Sequence, residues 1–439
     1  MSADAYSPDV ERPLTPSEAS VSHSVGRRQF LHSAGGMLAA AGLSPLGVGQ
    51  NLQDASNGQD YVSLPPIEDP KTEGEDKAPG PFESSDQRIG FTIVGIGHLT
   101  INQILPAFGR SEFCKPVALV SGSPDKALKI AAQYGVKPTS IYSYANFERL
   151  GQNPDVKVVY IVLPNSMHAE YTARAAKIGK HVLSEKPMAT SVADCEKMIA
   201  ACRSAKVKLM VAYRQQYEPM NREVLKMIRA GKVGTLRSFL ATLTQNQGDP
   251  SQWRLHKALA GGGCLPDVGI YCLNAARFWS GEEPIEVFGQ TFQPQDDPRF
   301  TEVEATCNFT LRFPSGLLAS CNAGYAAHRS SFARMEGAEG WIQLSPSFGY
   351  SGLKLQYNRL LESHGTDFLP SINEKDQFAL EMDHMAECVM RDRQPHTPGE
   401  EGAQDIRIIE AIYESARINR PVKLPQPPSP TRGPGLSES

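Results

Sequence analysis

The chain has 439 residues, with 44 basic and 48 acidic side chains and a net charge of -4. Hydrophobic residues make up 40% and charged residues 21%, enough apolar material for more than one globular core. The charge balance excludes a nucleic-acid footprint, and no apolar run reaches the roughly 18–20 residues of a spanning helix.

Residues 1–25 are polar, and "GRRQFLHSAGGMLAAAG" follows at 26–42. Arg27 and Arg28 stand ahead of Phe30, Leu31 and a weakly apolar run of small residues. Twin arginines before such a run mark the Tat route, an address read by export machinery. Residues 1–50 are therefore expected to be a Tat signal and the protein periplasmic, tethered to the membrane if the signal stays uncut. Residues 51–88 hold Pro65, Pro66, Pro70, Pro79 and Pro81 among many acidic side chains, the composition of an arm or linker. The eight cysteines contain no C-x-x-C pair, so no zinc or redox motif is expected and no metal is assigned. A route that carries folded cargo out of a reducing compartment points to buried free thiols.

From Gly90 the texture changes. "FTIVGIG", "PVALVSG", "VKVVYIVLP", "HVLSEKP" and "KLMVAY" are continuous apolar runs separated by helical patterns at 101–109, 124–134, 167–178, 191–205 and 219–230. Buried parallel strands alternating with amphipathic helices give a doubly wound α/β sheet over 89–215. Past Thr235 strand patterns follow one another at 235–246, 285–293, 301–313, 316–324, 329–337, 340–345 and 351–358. Helices are expected at 266–280, 376–391 and 402–418. The segment 216–425 reads as an α+β domain with a large, mainly antiparallel sheet, and 426–439 as a disordered tail.

"VGIGHLT" places Gly95, Ile96, Gly97, His98 and Thr100 in a strand–turn–helix setting. The first glycine suits the tight turn and the second the approach of a pyrophosphate; Thr100 replaces the usual third Gly or Ala. The next strand ends at Ser121, where NAD-binding domains place an acid for the ribose hydroxyls. Ser121 removes that repulsion, Ser123 and Pro124 open a helix, and Lys126 adds a positive charge one turn in. Asp125 is a counter-signal that also suits a first helical turn. The balance favours NADP.

Ligands of open α/β sheets bind beyond the carboxyl ends of the strands. Three such ends carry "VLPNSMHAEY", "SEKPMAT" and "VAYRQQYEPMNR". Lys186 at a strand end could stabilise a neighbouring anion, although "EKP" alone is equally a salt-bridged turn.

Taken with "GGGCLPDVGIYCLNAARF" (261–278) and "PGEEGAQDIRIIEAIYESAR" (398–417), these motifs resemble the Gfo/Idh/MocA oxidoreductase family, and within it the glucose–fructose oxidoreductase branch, from about Arg88 to Val422. That resemblance implies a dinucleotide-binding domain and a substrate domain, small-molecule sugars as substrates, and a homo-oligomer, dimer or tetramer, formed through the C-terminal sheet. It implies Tyr271 as acid/base where many relatives carry His, Lys186 as its partner, and Asp267 as an orienting or sugar-binding group. Pro164, Asn165 and His168 are then expected to line the cofactor cleft, Glu185 and Lys186 to lie near the nicotinamide ribose, and Tyr144 near the adenine or its ribose. Arg214, Trp253 and Arg254 match positions at the cofactor and Tyr217 one at the sugar. Without the resemblance, Tyr271 reads as a core aromatic. The arm at 51–88 matches poorly.

The expected activity is oxidation of an aldose to its lactone coupled to reduction of a ketose, fructose to sorbitol, on one tightly bound NADP. The alternatives are another aldose dehydrogenase or an aldose–aldose oxidoreductase, or a sugar- or nucleotide-binding module without turnover. The export signal bears on this choice, because an exported dehydrogenase finds little free NADP(H) and stops after one turnover unless a second substrate restores its cofactor.

Overall fold

The structure, a computed structural model, describes residues 87–436. The twin-arginine segment and all but the last two residues of the 51–88 arm lie outside the described residues.

The first sheet contains β1 (Ile89–Val94), β2 (Cys114–Val120), β3 (Ile141–Tyr142), β4 (Val158–Ile161), β5 (His181–Glu185) and β6 (Leu209–Ala212). Their order is β3-β2-β1-β4-β5-β6 and every pairing is parallel. β4 (VVYI) and β6 (LMVA) are buried at every position, because helices cover both faces and no polar side is needed. The order reverses between β1 and β4, which opens a crevice at their carboxyl ends. The helices are α1 (Leu105–Ala107), α2 (Pro124–Gln133), α3 (His168–Lys177) and α4 (Val192–Ser204).

The second sheet follows α5 (Pro219–Arg229). It contains β7 (Leu236–Asn246), β8 (Glu286–Phe292), β9 (Thr306–Arg312), β10 (Leu318–Gly324), β11 (Ala326–Gly337), β12 (Gly340–Leu344), β13 (Leu355–Leu361), β14 (His364–Phe368) and β15 (Val422–Lys423). Only β7 and β10 pair in parallel; the other pairings are antiparallel. β9 alternates strictly, with Cys307, Phe309 and Leu311 buried and Asn308, Thr310 and Arg312 exposed, as a sheet covered on one face requires. The strand expected at 351–358 starts at Leu355, and its partner β14 has no counterpart among the expected strands. Their turn carries Glu362 and Ser363 at φ 47° and 76°, positions usually marked by Gly or Asn, so the residues there carry no turn signal.

Between the sheets lie α6 (Lys257–Ala260) and α7 (Ile270–Ser280), and α8 (Gln377–Met390) and α9 (Gly399–Ile418) close the chain. These last two return to the first sheet. Phe378, Met382 and Met385 of α8 pack into one core with Phe91, Ile93 and Leu119. Asp383 accepts from the Ser111 hydroxyl at 2.6 Å and from the amides of Glu112 and Phe113. The two halves thus interleave and do not part cleanly at 215/216. The segment expected to be a free tail also packs, through Leu436: the buried Thr431 hydroxyl donates to Glu401 at 2.7 Å, Arg432 Nε to Glu401 at 3.0 Å, and the Gly433 amide to the His396 carbonyl. Glu401 offers this short polar segment a buried carboxylate that composition does not reveal. All eight cysteines are buried and free.

Candidate active site

The turn after β1 holds Gly95 at φ +96°, where a Cβ would meet the Val162 carbonyl oxygen at 2.3 Å. Gly97 faces open space, where an added Cβ would meet nothing within 4 Å, and His98 beside it is exposed. Ile96 turns its side chain into the core and contributes only backbone. Thr100, the unusual third position, is fully buried and its hydroxyl donates to the Gly95 carbonyl at 2.7 Å. It pins the turn that a small residue elsewhere leaves to packing.

β2 delivers the second half of the crevice. Tyr144 lies against Gly122, where a Cβ would stand 3.3 Å from its ring, so it reaches the end of β2. Ser121 departs from expectation. It is 7% exposed, and its hydroxyl donates to the Ser123 carbonyl and accepts from the Ser123 amide. A short hydroxyl side chain readily closes such a local turn. Ser123, the N-cap of α2, makes no capping bond with its side chain. Ser123, Lys126 and the first amides of α2 could therefore take an anion at this corner. The open space at Gly97 and this corner fit a dinucleotide with an added phosphate.

The chemistry gathers at the carboxyl end of β5. Lys186 Nζ donates to the Asp267 carbonyl at 2.7 Å and to its Oδ1 at 3.1 Å. Asp267 and Tyr271 are four residues apart, across a π-turn (Leu265–Gly269) that runs into α7, and so share one helix face. Lys186 Nζ stands 4.6 Å from the Tyr271 ring centroid. Burial alone would lower the Lys186 pKa, but Asp267, Tyr271 and Glu185 outweigh it and hold it above the ordinary lysine value. Burial would raise the Asp267 carboxyl, but Lys186 and Arg254, helped by Tyr325, hold it well below the usual carboxylate range. The two shifts favour the ionised pair, a cation and an anion held together beside the Tyr271 ring.

Asp267 is an anchor. Arg254 Nε lies 3.2 Å from its Oδ2, and the Tyr325 hydroxyl donates to Oδ2 at 2.6 Å. The Arg254 guanidinium sits 4.5 Å over the Trp253 ring, so Arg254 joins the Asp267 anchor and Trp253 backs it. Glu304, unforeseen, fixes the start of the segment by accepting from the amides of Gly263 and Leu265 and from the Tyr413 hydroxyl. The "GGG" before it allows this close approach: a Cβ on Gly262 would meet the Tyr413 oxygen at 2.0 Å.

Five other expected site residues are buried and bonded within the protein. Arg214 is 4% exposed; its guanidinium lies 4.9 Å over the Tyr271 ring, donates to the Phe348 and Gly349 carbonyls and bonds Gln377. Tyr217 is core, 3% exposed, with its hydroxyl 2.8 Å from Thr397 Oγ1 and its ring against His384. An aromatic one turn past a strand end packs as readily inward as outward. His168 is fully buried, its ring nitrogens 3.0 Å from the Pro187 carbonyl and 2.9 Å from that of Leu163. It ties the turns after β4 and β5 together behind the half-buried Pro164. Asn165 is also buried and donates to the Ala260 carbonyl at 2.8 Å. Glu185 points inward, accepting from the Tyr160 hydroxyl at 2.8 Å. Glu381 shares that phenol at 3.1 Å, and burial, then repulsion by Glu185, hold it well above the carboxylate range.

A dinucleotide crevice and a lysine–aspartate–tyrosine cluster on one sheet edge, roofed by a second sheet domain, define a two-domain oxidoreductase. Residues 89–213 match the oxidoreductase family with an NAD-binding Rossmann fold, and 221–343 match the GFO/IDH/MocA C-terminal domain. The chain belongs to the Gfo/Idh/MocA oxidoreductase family. It is 32% identical over 347 residues to D-xylose 1-dehydrogenase [NADP(+)] of Haloarcula marismortui, covering 78% of this chain and 94% of that one. A dTDP-3,4-didehydro-2,6-dideoxy-alpha-D-glucose 3-reductase of Actinomadura kijaniata is 28% identical over 77% of this chain and 98% of its own length. Among solved structures, aldose–aldose oxidoreductase of Caulobacter crescentus, complexed with glycerol, is 44% identical with a TM-score of 0.74, over 77% of this chain and 100% of that one.

Proposed function

We propose that this protein is an NADP-dependent sugar oxidoreductase that oxidises an aldose to its lactone and reduces a second sugar on the same retained cofactor. The juxtaposition of Lys186, Asp267 and Tyr271 at the sheet edge that carries the Gly95–Gly97 crevice is the observation behind it. NADP, when bound, supplies the hydride acceptor and, once reduced, the donor. Gly95, Gly97, His98, Ser123, Lys126 and Tyr144 would hold it. Tyr271 takes the proton of the anomeric hydroxyl as the lactone carbonyl forms. Lys186 and Arg214, flanking its ring, stabilise the negative charge that develops on the phenol oxygen. Asp267 keeps Lys186 in place. In the second half-reaction Tyr271 returns its proton to the oxygen of the sugar being reduced, so protons balance across the cycle.

The sequence leads to a ketose acceptor, whereas the 44% identity to an aldose–aldose oxidoreductase favours a second aldose. Incubating the protein as purified with single aldoses and with aldose–ketose pairs, and quantifying lactone and alditol, separates the two. Equal lactone and alditol from one aldose alone supports the aldose acceptor; alditol only when fructose is present supports the ketose. Free exchange with added NADP, and no alditol in either case, would make it a simple dehydrogenase.

The choice of NADP has its own test. Lys126 makes no ion pair among the described residues. Lys126→Glu places a carboxylate at the α2 corner and is expected to weaken NADP retention at least tenfold while sparing NAD. Titration of the apoprotein with both nucleotides reads this, and an unchanged preference would move the phosphate elsewhere.

Export by the Tat machinery to the periplasm is proposed from Arg27 and Arg28; Lys at both should keep the protein in the cytoplasm. A homo-oligomer is proposed through the outer face of the second sheet. The register sets Leu240, Phe332, Trp341, Leu318 and Leu360 on that face, and Leu318 and Leu360 are 51% and 61% exposed. Sedimentation at micromolar concentration is expected to show a species larger than one chain.

A further inference from the structure

Arg214 is a buried guanidinium that forms no salt bridge among the described residues. Its donors go to the Phe348 and Gly349 carbonyls and to Gln377, whose side-chain amide in turn donates to the Gly349 carbonyl at 3.0 Å and the Tyr350 carbonyl at 2.7 Å. Four bonds from two buried side chains thus fix one short loop. That loop carries Tyr350.

The same guanidinium lies 4.9 Å over the Tyr271 ring and 4.6 Å over the Tyr350 ring. Phe348 packs 5.9 Å from Tyr271, and Tyr350 makes an edge contact with Phe378 at 5.3 Å. Two phenols therefore flank one cation beside the Lys186–Asp267 pair. They differ in what they have to do. Tyr271 belongs to a helix and meets both cations. Tyr350 is 46% exposed, yet its carbonyl is bonded by Gln377 and its ring is packed between Arg214 and Phe378. An exposed large side chain gains little from such fixation by itself, since ordering it costs rotamer freedom. Fixation in advance benefits a ligand contact, because the ordering cost is then not charged to binding.

We infer that Tyr350 is a sugar-contacting residue, its hydroxyl hydrogen-bonding a ring hydroxyl of the substrate on the side away from Tyr271. The inference rests on the sugar-oxidoreductase reading. Its electrostatic surroundings agree: crowding of the phenol, then Tyr271, raise its pKa, with Arg214 and Lys186 opposing, so it stays a neutral donor. A site built to bond a substrate hydroxyl discriminates against the analogue that lacks it. Tyr350 therefore sets which aldoses are accepted.

The test uses full-length protein with its own cofactor, and compares wild type with Tyr350→Phe on glucose and each monodeoxy glucose. Tyr350→Phe is expected to raise KM for glucose about tenfold with a smaller fall in kcat. For one deoxy sugar the two proteins should behave alike, because the contact is already absent. Tyr350→Leu should repeat the pattern with a larger KM. An equal loss for every sugar, or a fall in kcat with KM unchanged, would overturn the inference and leave Tyr350 as a support for Arg214. A wild type inert towards all aldoses would instead fail the sugar reading, a result visible before any variant is compared.

Discussion

Tyr271→Phe is expected to lower aldose oxidation by roughly 10²–10⁴-fold, the usual contribution of a positioned acid/base, while leaving bound cofactor unchanged. The ring persists, so its contacts with the Lys186 and Arg214 cations and with Phe348 persist, and the fold should not change. Only the oxygen that carries the proton is lost. Single-turnover absorbance at the NADPH band, with cofactor quantified after acid extraction, reads both halves of the expectation. A variant within threefold of wild type would remove Tyr271 from the chemistry.

Lys186→Gln is the second large effect, with an expected loss of about 10²–10³-fold, comparable to removing one preorganised donor from a developing anion. The side chain is 11% exposed and meets both Asp267 and the Tyr271 ring. Asp267 retains Arg254 and the Tyr325 hydroxyl, so the variant should fold. The loss should fall on kcat more than on KM, because charge on the phenol oxygen grows only as the proton moves. The pH dependence follows from the same pair. Asp267 is depressed in the fold, so its contribution to stability is complete above the unfolded value of about 3.9 and is lost only as pH falls below it. Lys186 is raised, so its contribution is complete below about 10.4 and is lost only at higher pH. Between about pH 5 and 9 thermal stability should therefore not depend on this pair. A melting temperature whose difference between Asp267→Asn and wild type changes across that window would contradict it.

Much of this architecture was legible in the chain. Alternating apolar runs and helical periods placed β1, β2, β4, β5 and β6 within a few residues, because strands buried on both faces must be apolar throughout; β3, only two residues long, left no such run. A helix over 266–280 was expected and α7 lies within it, but Asp267 and Tyr271 were singled out by the family resemblance and not by helix geometry. What failed was the direction of side chains at strand ends. Ser121, Glu185, Arg214 and Tyr217 all stand where a ligand-facing residue could stand, and all turn inward. Each found a partner distant in sequence, as Glu185 found Tyr160 and Arg214 found Gln377, or a local backbone group, as Ser121 did. No spacing announces such partners. Tyr325 and Tyr350 were missed for the converse reason. Each lies in or after a strand of the second sheet, more than fifty residues from the anchor it serves, and reads as an ordinary strand aromatic. The π-turn at Leu265–Gly269 was also not foreseen; the sequence pattern reads as one regular helix over 266–280.

The self-contained cycle is the central claim, and the cofactor within the purified protein reports on it most directly. Protein freed of external nucleotide is mixed with an aldose, and the NADPH band is followed until it stops rising. A second sugar is then added. One equivalent of reduced cofactor per chain, formed without added NADP and then discharged by the second sugar, is the predicted result. A band that appears only when NADP is supplied, or that the second sugar leaves standing, would contradict it.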